Sequence, residues 1–236
     1  MIRVERAGGL VTLTLDRPEK ANALTRDMLA ALDAAVAQAV ADDAKALILT
    51  GTGKVFSAGA DLDGMAQGLG DAPEWEALSA RIAIAPCLTI AALNGTLAGG
   101  AFGMALACDL RLCVPAATFF YPVMKRGFRP QPSDPKRLAA LVGPSRAKMI
   151  LLAGARIGAE EALAWGLVNR IAAPEALMDT ARDLGRRKTA PAILEPLSVF
   201  VPTVCCPVTP AQAGATRWVS PISEDNGFGR SLRPPR

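Results

Sequence analysis

The 236-residue chain contains no histidine, and that absence removes several mechanisms. A Ser-His-Asp triad, a Cys-His dyad and a His-ligated zinc are excluded. Any proton transfer must use Asp, Glu, Lys, Tyr, Cys or water. Aromatic residues make up only 5% of the chain, so Ala, Leu and Val must fill the core. Charge is modest, with 26 basic residues against 22 acidic and a net +4. That surplus is too small and too dispersed to argue for nucleic acid or an anionic membrane. The five cysteines, Cys87, Cys108, Cys113, Cys205 and Cys206, form no CxxC pair and fit no common metal spacing. Cys87, Cys108 and Cys113 lie in apolar stretches and read as small buried hydrophobes. No apolar run reaches the roughly 18 residues of a membrane span. Met1 to Gly9 carries charges and no apolar signal segment, so a cytoplasmic location is expected.

What the chain has is enough apolar material, 51% of its residues, to bury a full core without staples. Val11, Leu13 and Leu15 alternate with Thr12 and Thr14, a strand pattern. After the Pro-broken turn at Asp16–Lys20, Thr25 is placed to cap a helix whose apolar face carries Met28, Leu29, Leu32, Val36 and Val40. Ala46–Thr50 and Leu88–Leu93 read as buried strands, and Leu110–Val114 and Thr118–Tyr121 as further ones. Helical patterns cover Glu74–Ile84, Ala101–Cys108, Ala159–Trp165 and Pro174–Arg187, and the texture is helical from Lys136 onward. Strands alternating with helices indicate an α/β domain over residues 1–190. The composition then breaks. Pro196 to Arg236 holds seven prolines and only six charged residues, so residues 191–236 read as an irregular Pro-rich tail, a break that a shifted reading frame would produce.

Two glycine-rich segments follow strands and open helices. One is Val55-Phe56-Ser57-Ala58-Gly59-Ala60-Asp61-Leu62; the other runs from Asn94 to Gly103 as NGTLAGGAFG. A helix start offers unpaired N–H groups and positive dipole, and small residues let a ligand oxygen approach them. Two such amides converging on one oxygen, those of Ala60 and Gly100, would form an oxyanion hole. Close helix–strand packing is the competing explanation for either glycine cluster alone. Neither segment is a GxGxxG fingerprint or a phosphate loop.

In order and together, four stretches resemble the enoyl-CoA hydratase/isomerase, or crotonase, family. They are LDRPEKANAL (Leu15–Leu24), LTGTGKVFSAGADL (Leu49–Leu62), ALNGTLAGGAFGMALACDLRL (Ala92–Leu112) and GARIGAEEALAWGLVNRI (Gly154–Ile171). The resemblance implies repeated ββα units wound into a superhelix, and a lyase or isomerase acting on an acyl-CoA thioester. CoA would enter as part of the substrate, with no cofactor and no metal. It implies oxyanion-hole amides at Ala60 and Gly100, and thioester and pantetheine contacts from Ala60, Asp61, Leu62 and Asp63. Lys20, Ala21 and Ala23 fall in the loop that curls over CoA, with adenine contacts through the backbone of the two alanines. Lys20 and Lys54 either face CoA phosphates or are solvated surface lysines. A homotrimer or dimer of trimers is implied, weakened if the altered C-terminus removes contacts.

The resemblance also exposes departures. Hydratases of the family use two glutamates, and those positions fall on Gly103 and Val123 here, neither of which transfers a proton. Asp134, in the RPQPSDP segment, is the nearest new acid; it either substitutes for a missing glutamate or, the plainer reading, is a loop-surface carboxylate. Asp61 reads as a helix N-cap and Asp109 as structural; Tyr121, the only tyrosine, sits just before a family catalytic position and is either an acid or, the plainer reading, a strand-end phenol of the core. Two functions follow as expectations: an acyl-CoA enzyme working through an oxyanion-stabilised enolate, or a catalytically silent acyl-CoA-binding or scaffold protein on the same fold.

Overall fold

A computed structural model describes Met1–Arg187. The expected tail, residues 191–236, lies outside the described residues, as do Cys205 and Cys206. The first hairpin pairs β1 (Ile2–Ala7) with β2 (Leu10–Leu15). Gly8 and Gly9, at φ +61° and +83°, make its turn, the backbone that two-residue hairpin loops require. Helix α1 (Arg26–Ala41) follows and begins as expected, with the Met28 N–H donating to Thr25 Oγ1 at 3.2 Å. Its buried face carries Met28, Leu29, Leu32, Val36 and Ala39; Val40 is only half-buried.

Three ββα turns then repeat one plan. The first comprises β3 (Ala46–Gly51), β4 (Val55–Ser57), the short helix α2 (Leu62–Ala66) and α3 (Glu74–Ala83). The second is β5 (Leu88–Leu93), β6 (Thr96–Ala98) and α4 (Phe102–Ala107), and the third β7 (Leu110–Cys113), β8 (Thr118–Phe120) and α5 (Asp134–Val142). Helices α6 (Pro144–Leu151), α7 (Ala159–Trp165) and α8 (Leu177–Arg186) complete the described chain, with β9 (Arg156–Gly158) and β10 (Arg170–Ile171). In every turn the first strand joins a six-stranded sheet, ordered β1-β2-β3-β5-β7-β10. The second strand joins a four-stranded sheet, ordered β4-β6-β8-β9. This is the winding that the ββα expectation requires.

The central strands β3 and β5 are buried along nearly their whole length, which is why they read as unbroken apolar runs and not as alternation. The short strands β4, β6 and β9 escaped the sequence pattern because three residues carry no period. The core runs between the sheets and α1, α3 and α4, and Phe56, Phe102, Phe119 and Tyr121 are its largest fully buried side chains. Cys87, Cys108 and Cys113 are buried there as expected. Burial pushes the Cys108 thiol up to about 12 and those of Cys87 and Cys113 to about 11, so they are inert as nucleophiles near neutrality.

Candidate active site

The two glycine-rich segments meet. A β-carbon on Gly59 would lie 2.9 Å from the Ala98 carbonyl oxygen and 3.3 Å from the Gly99 Cα. Only glycine permits that approach, and Gly59 (φ +92°) and Gly99 (φ +56°) both use left-handed backbone. The contact sets the end of β4 against the start of α4. Ala60 and Gly100 line one and the same pocket, with Ala58, Ala98, Tyr121 and Val123.

Local hydrogen bonding fixes how Ala60 faces that pocket. Leu24 forms a parallel bridge with Ala60. Its N–H donates to the Gly59 carbonyl at 2.8 Å, and its carbonyl accepts from the Asp61 N–H at 2.9 Å. In a parallel bridge those bonds use the flanking groups of the partner strand, so the Ala60 N–H itself points away from Leu24. Gly100 sits in the first 3₁₀ turn ahead of α4, where N–H groups have no partner within the helix. Trp75 closes over it. The indole lies 3.3–3.4 Å from where a Gly100 side chain would begin, and its Nε1–H donates to the Leu69 carbonyl at 2.8 Å. That packing leaves little room for a side chain at Gly100, which is itself half-buried.

A polar network carries the loop before Ala60. Asn22 is fully buried at φ +53°. Its amide donates to the Thr52 and Val55 carbonyls at 2.9 and 2.7 Å. Ser57 Oγ donates to the Asn22 carbonyl at 2.8 Å and accepts from the Gly59 N–H at 3.2 Å. Asp61 caps α2, accepting from the Asp63 and Gly64 N–H groups at 3.1 and 3.3 Å. It also accepts from Arg17 at 2.6 Å. That hydrogen bond holds the Asp61 carboxyl below its ordinary range. The N-cap expectation for Asp61 therefore holds. Asp109 is structural as expected, accepting from Thr89 N and Oγ1 at 2.8 Å each.

The remaining anticipated CoA contacts lie outside the pocket lining. Lys20 and Lys54 are solvent-exposed, as are Asp63 and Leu62, the latter 71% exposed. The Ala21 N–H already donates to the Pro18 carbonyl and the Ala23 N–H to the Lys20 carbonyl, each at 3.0 Å. Only their carbonyl oxygens keep a spare lone pair for an incoming donor.

The chain matches the family model described as enoyl-CoA hydratase/isomerase over residues 5–199. The chain belongs to the enoyl-CoA hydratase/isomerase family. It is 36% identical over 171 residues to a probable enoyl-CoA hydratase, echA6, of Mycobacterium tuberculosis, covering 72% of this chain and 70% of that one. To the carnitinyl-CoA dehydratase of Salmonella arizonae it is 38% identical over 194 residues, covering 79% and 73%. Among solved structures it resembles an enoyl-CoA hydratase subunit I of Geobacillus kaustophilus, with TM-score 0.75, 36% identity and coverage of 82% and 77%. Pseudomonas aeruginosa DspI superposes with TM-score 0.78 at 29% identity, covering 85% of each chain.

Val123, aligned by resemblance with a family glutamate, lines the pocket. Gly103, aligned with the other, is fully enclosed in α4. The expectation for Asp134 is overturned. It is no loop-surface carboxylate but the first residue of α5, and it is 0% exposed. The chain turns inward here because Ser133, just before α5, is held by Glu76: its N–H donates to Glu76 Oε2 at 3.2 Å and its hydroxyl to Oε1. Tyr121 is the buried strand-end phenol expected, stacked on Phe102 at 5.1 Å, and it also lines the pocket and donates to Asp134 Oδ2. Sequence reasoning passed over Asn22 and Trp75. An Asn inside a tight polar turn was the available signal for the first; nothing local marked the second.

Proposed function

We propose that this protein is an enoyl-CoA hydratase/isomerase-type enzyme acting on an acyl-CoA thioester, whose carbonyl oxygen sits between the backbone N–H groups of Ala60 and Gly100. The single observation supporting this reading is the Gly59–Gly99 backbone contact, beside which Ala60 and Gly100 line one pocket. Negative charge developing on the thioester oxygen as an enolate forms is what such amides stabilise, each by roughly 10²–10³ in rate. Ala60, Asp61, Leu62 and Asp63 would flank the pantetheine, and the carbonyls of Ala21 and Ala23 would accept from the adenine amino group. CoA arrives with the substrate. Assembly as a trimer or a dimer of trimers belongs to the same reading, and a light-scattering mass tests it.

A second reading, a catalytically silent acyl-CoA-binding protein, is favoured by one observation: glycine and valine stand where the family resemblance expects glutamates. A panel of saturated and α,β-unsaturated acyl-CoA thioesters, scored for both binding and turnover, separates the two. Turnover of about 1–10³ s⁻¹, the ordinary enzyme range, supports the enzyme. Tight binding with no turnover supports the silent protein. Hexadienoyl-CoA adds a direct readout, because polarisation of its carbonyl by two amides shifts its absorbance to longer wavelength. No binding and no shift would sink both readings.

A further inference from the structure

Asp134 carries an unexplained polar atom. Its Oδ2 accepts from the Tyr121 hydroxyl, but its Oδ1 is buried without any hydrogen-bond partner among the described residues. A carboxylate kept for structure would have both oxygens satisfied, since an orphaned buried acceptor costs about 1–3 kcal/mol. The orphan oxygen faces the one helix position that gives it room. It lies 3.1 Å from where a side chain on Gly103 would begin, so any larger residue there would press on the carboxylate. Its neighbour Tyr121 is the link to the pocket, which it lines together with Ala60, Gly100 and Val123.

We propose that Tyr121 is the proton-transferring residue of this pocket and that Asp134 is the positioning group behind it, storing the proton. The proposal rests on the acyl-CoA reading above. In the forward step the C–H bond beside the thioester breaks, and its electron pair becomes the enolate held by Ala60 and Gly100. The proton goes to Tyr121 Oη, whose own proton passes to Asp134 Oδ2. The pair ends as neutral phenol and neutral carboxylic acid, and the reverse transfers deliver the proton to the same or a neighbouring carbon. No other reactant is consumed.

The surroundings suit a carboxyl that changes charge near neutrality. Burial pushes Asp134 up to about 7, against the opposing pull of the Tyr121 hydrogen bond and the Arg137 charge, with Glu76 adding to the rise. Glu76 on α3, Arg137 on α5 and Tyr121 beyond β8 are the titratable groups acting on it; α4 contributes only apolar residues and Gly103. Arg137 is itself tied to Ser79 Oγ at 2.9 Å. Burial and the adjacent Asp134 both raise the Tyr121 phenol far above its ordinary value, so Tyr121 works as a neutral relay and not as a free phenolate.

The test is exchange of the α-hydrogens of butyryl-CoA for deuterium in D₂O, followed by NMR at pH 5–9 with the full-length chain. Wild type should exchange, with a rate that rises through about pH 7. Tyr121→Phe should lose at least about 10²-fold, the scale of one placed acid or base. Asp134→Asn should lose a similar factor together with the limb near pH 7, a change that loss of packing alone does not produce. Should Asp134→Asn misfold, the paired substitution Gly103→Glu with Asp134→Ala returns a carboxylate across the same gap and should restore exchange. Unchanged exchange in Tyr121→Phe or Asp134→Asn overturns the proposal, as does a wild type that fails to exchange while still shifting the hexadienoyl-CoA spectrum. Absence of that shift would instead overturn the acyl-CoA reading itself.

Discussion

The two sides of the pocket are built under different constraints. On one side Ala60 and Gly100 offer backbone N–H groups. Their positions depend on Gly59 and Gly99 adopting φ values that other residues avoid. On the other side the polar groups are side chains, Tyr121 from the end of β8 and Asp134 from the start of α5. A backbone amide can come only from the residue at that point of the chain. A carboxylate oxygen can reach the same place from several Cα positions, so it is free to move between elements while the amides are not. The space beside Gly103 is filled in this way from across the gap, by the Asp134 carboxylate.

The largest expected effect belongs to the side-chain half. Asp134 is raised from 3.8 to about 7 in the fold, chiefly by burial, while its unfolded value is near 3.9. The folded state therefore favours the neutral acid. Its contribution to stability is full below about pH 4 and is lost as pH rises through about 7. At 1.36 kcal/mol per unit, a rise of about three units corresponds to about 4 kcal/mol. Asp134→Asn should match wild type in urea unfolding at pH 4 and exceed it by about that amount at pH 8. A pH-independent difference would show that the carboxyl does not titrate in a buried site. The backbone half is next. Gly100→Pro deletes one N–H and should cost about 3–4 kcal/mol of transition-state stabilisation, read as kcat/KM on whichever enoyl-CoA turns over. Retained acyl-CoA binding and an unchanged circular dichroism spectrum must accompany the loss.

The same contrast explains what the sequence made legible. The strand–helix alternation, the buried strands Ala46–Thr50 and Leu88–Leu93, and the glycine clusters around Ala60 and Gly100 are written in local composition, whereas the ββα winding followed from the family resemblance. Apolar runs and left-handed glycines carry their meaning within a few residues. Asp134 is different. Its RPQPSDP context has the proline and polar content of a surface loop, and only its burial against Gly103, 31 residues away, reveals it as an interior group. Tyr121 was half legible: its place at a strand end was clear, but its partner was not. Three-residue strands such as Val55–Ser57 and Thr96–Ala98 are too short for any period and are held by their neighbours in the sheet.

A smaller effect tests whether the glycine contact is needed for geometry alone. Gly59→Ala places a β-carbon 2.9 Å from the Ala98 carbonyl oxygen at φ +92°. It should lower stability by about 1–3 kcal/mol, the cost of one strained backbone site, and turnover should fall with it because the Ala60 amide shifts. Stability falling with turnover intact would show that the Ala60 amide is not held by this contact.

The smallest effect concerns Asp61, which lies beside the amide side of the pocket but caps a helix. Asp61→Ala removes the acceptor of the Asp63 and Gly64 N–H groups and the partner of Arg17. Losing an N-cap of this kind costs about 1 kcal/mol. Because Arg17 holds the carboxyl below its ordinary range, its contribution is present above about pH 4 and fades as pH falls further. The gap between wild type and Asp61→Ala should therefore close in acid, as it does for Asp134→Asn, but with the opposite sign: above that range wild type is more stable than Asp61→Ala and less stable than Asp134→Asn. Asp61→Asn keeps an acceptor for the two N–H groups and loses only the charge, so it should fall between the two. With α2 only five residues long, the damage stays local, and KM for acyl-CoA should move by no more than about twofold. A KM rise of tenfold or more in Asp61→Asn would mean that this carboxylate contacts the substrate directly, and would move part of the side-chain chemistry onto the backbone side of the pocket.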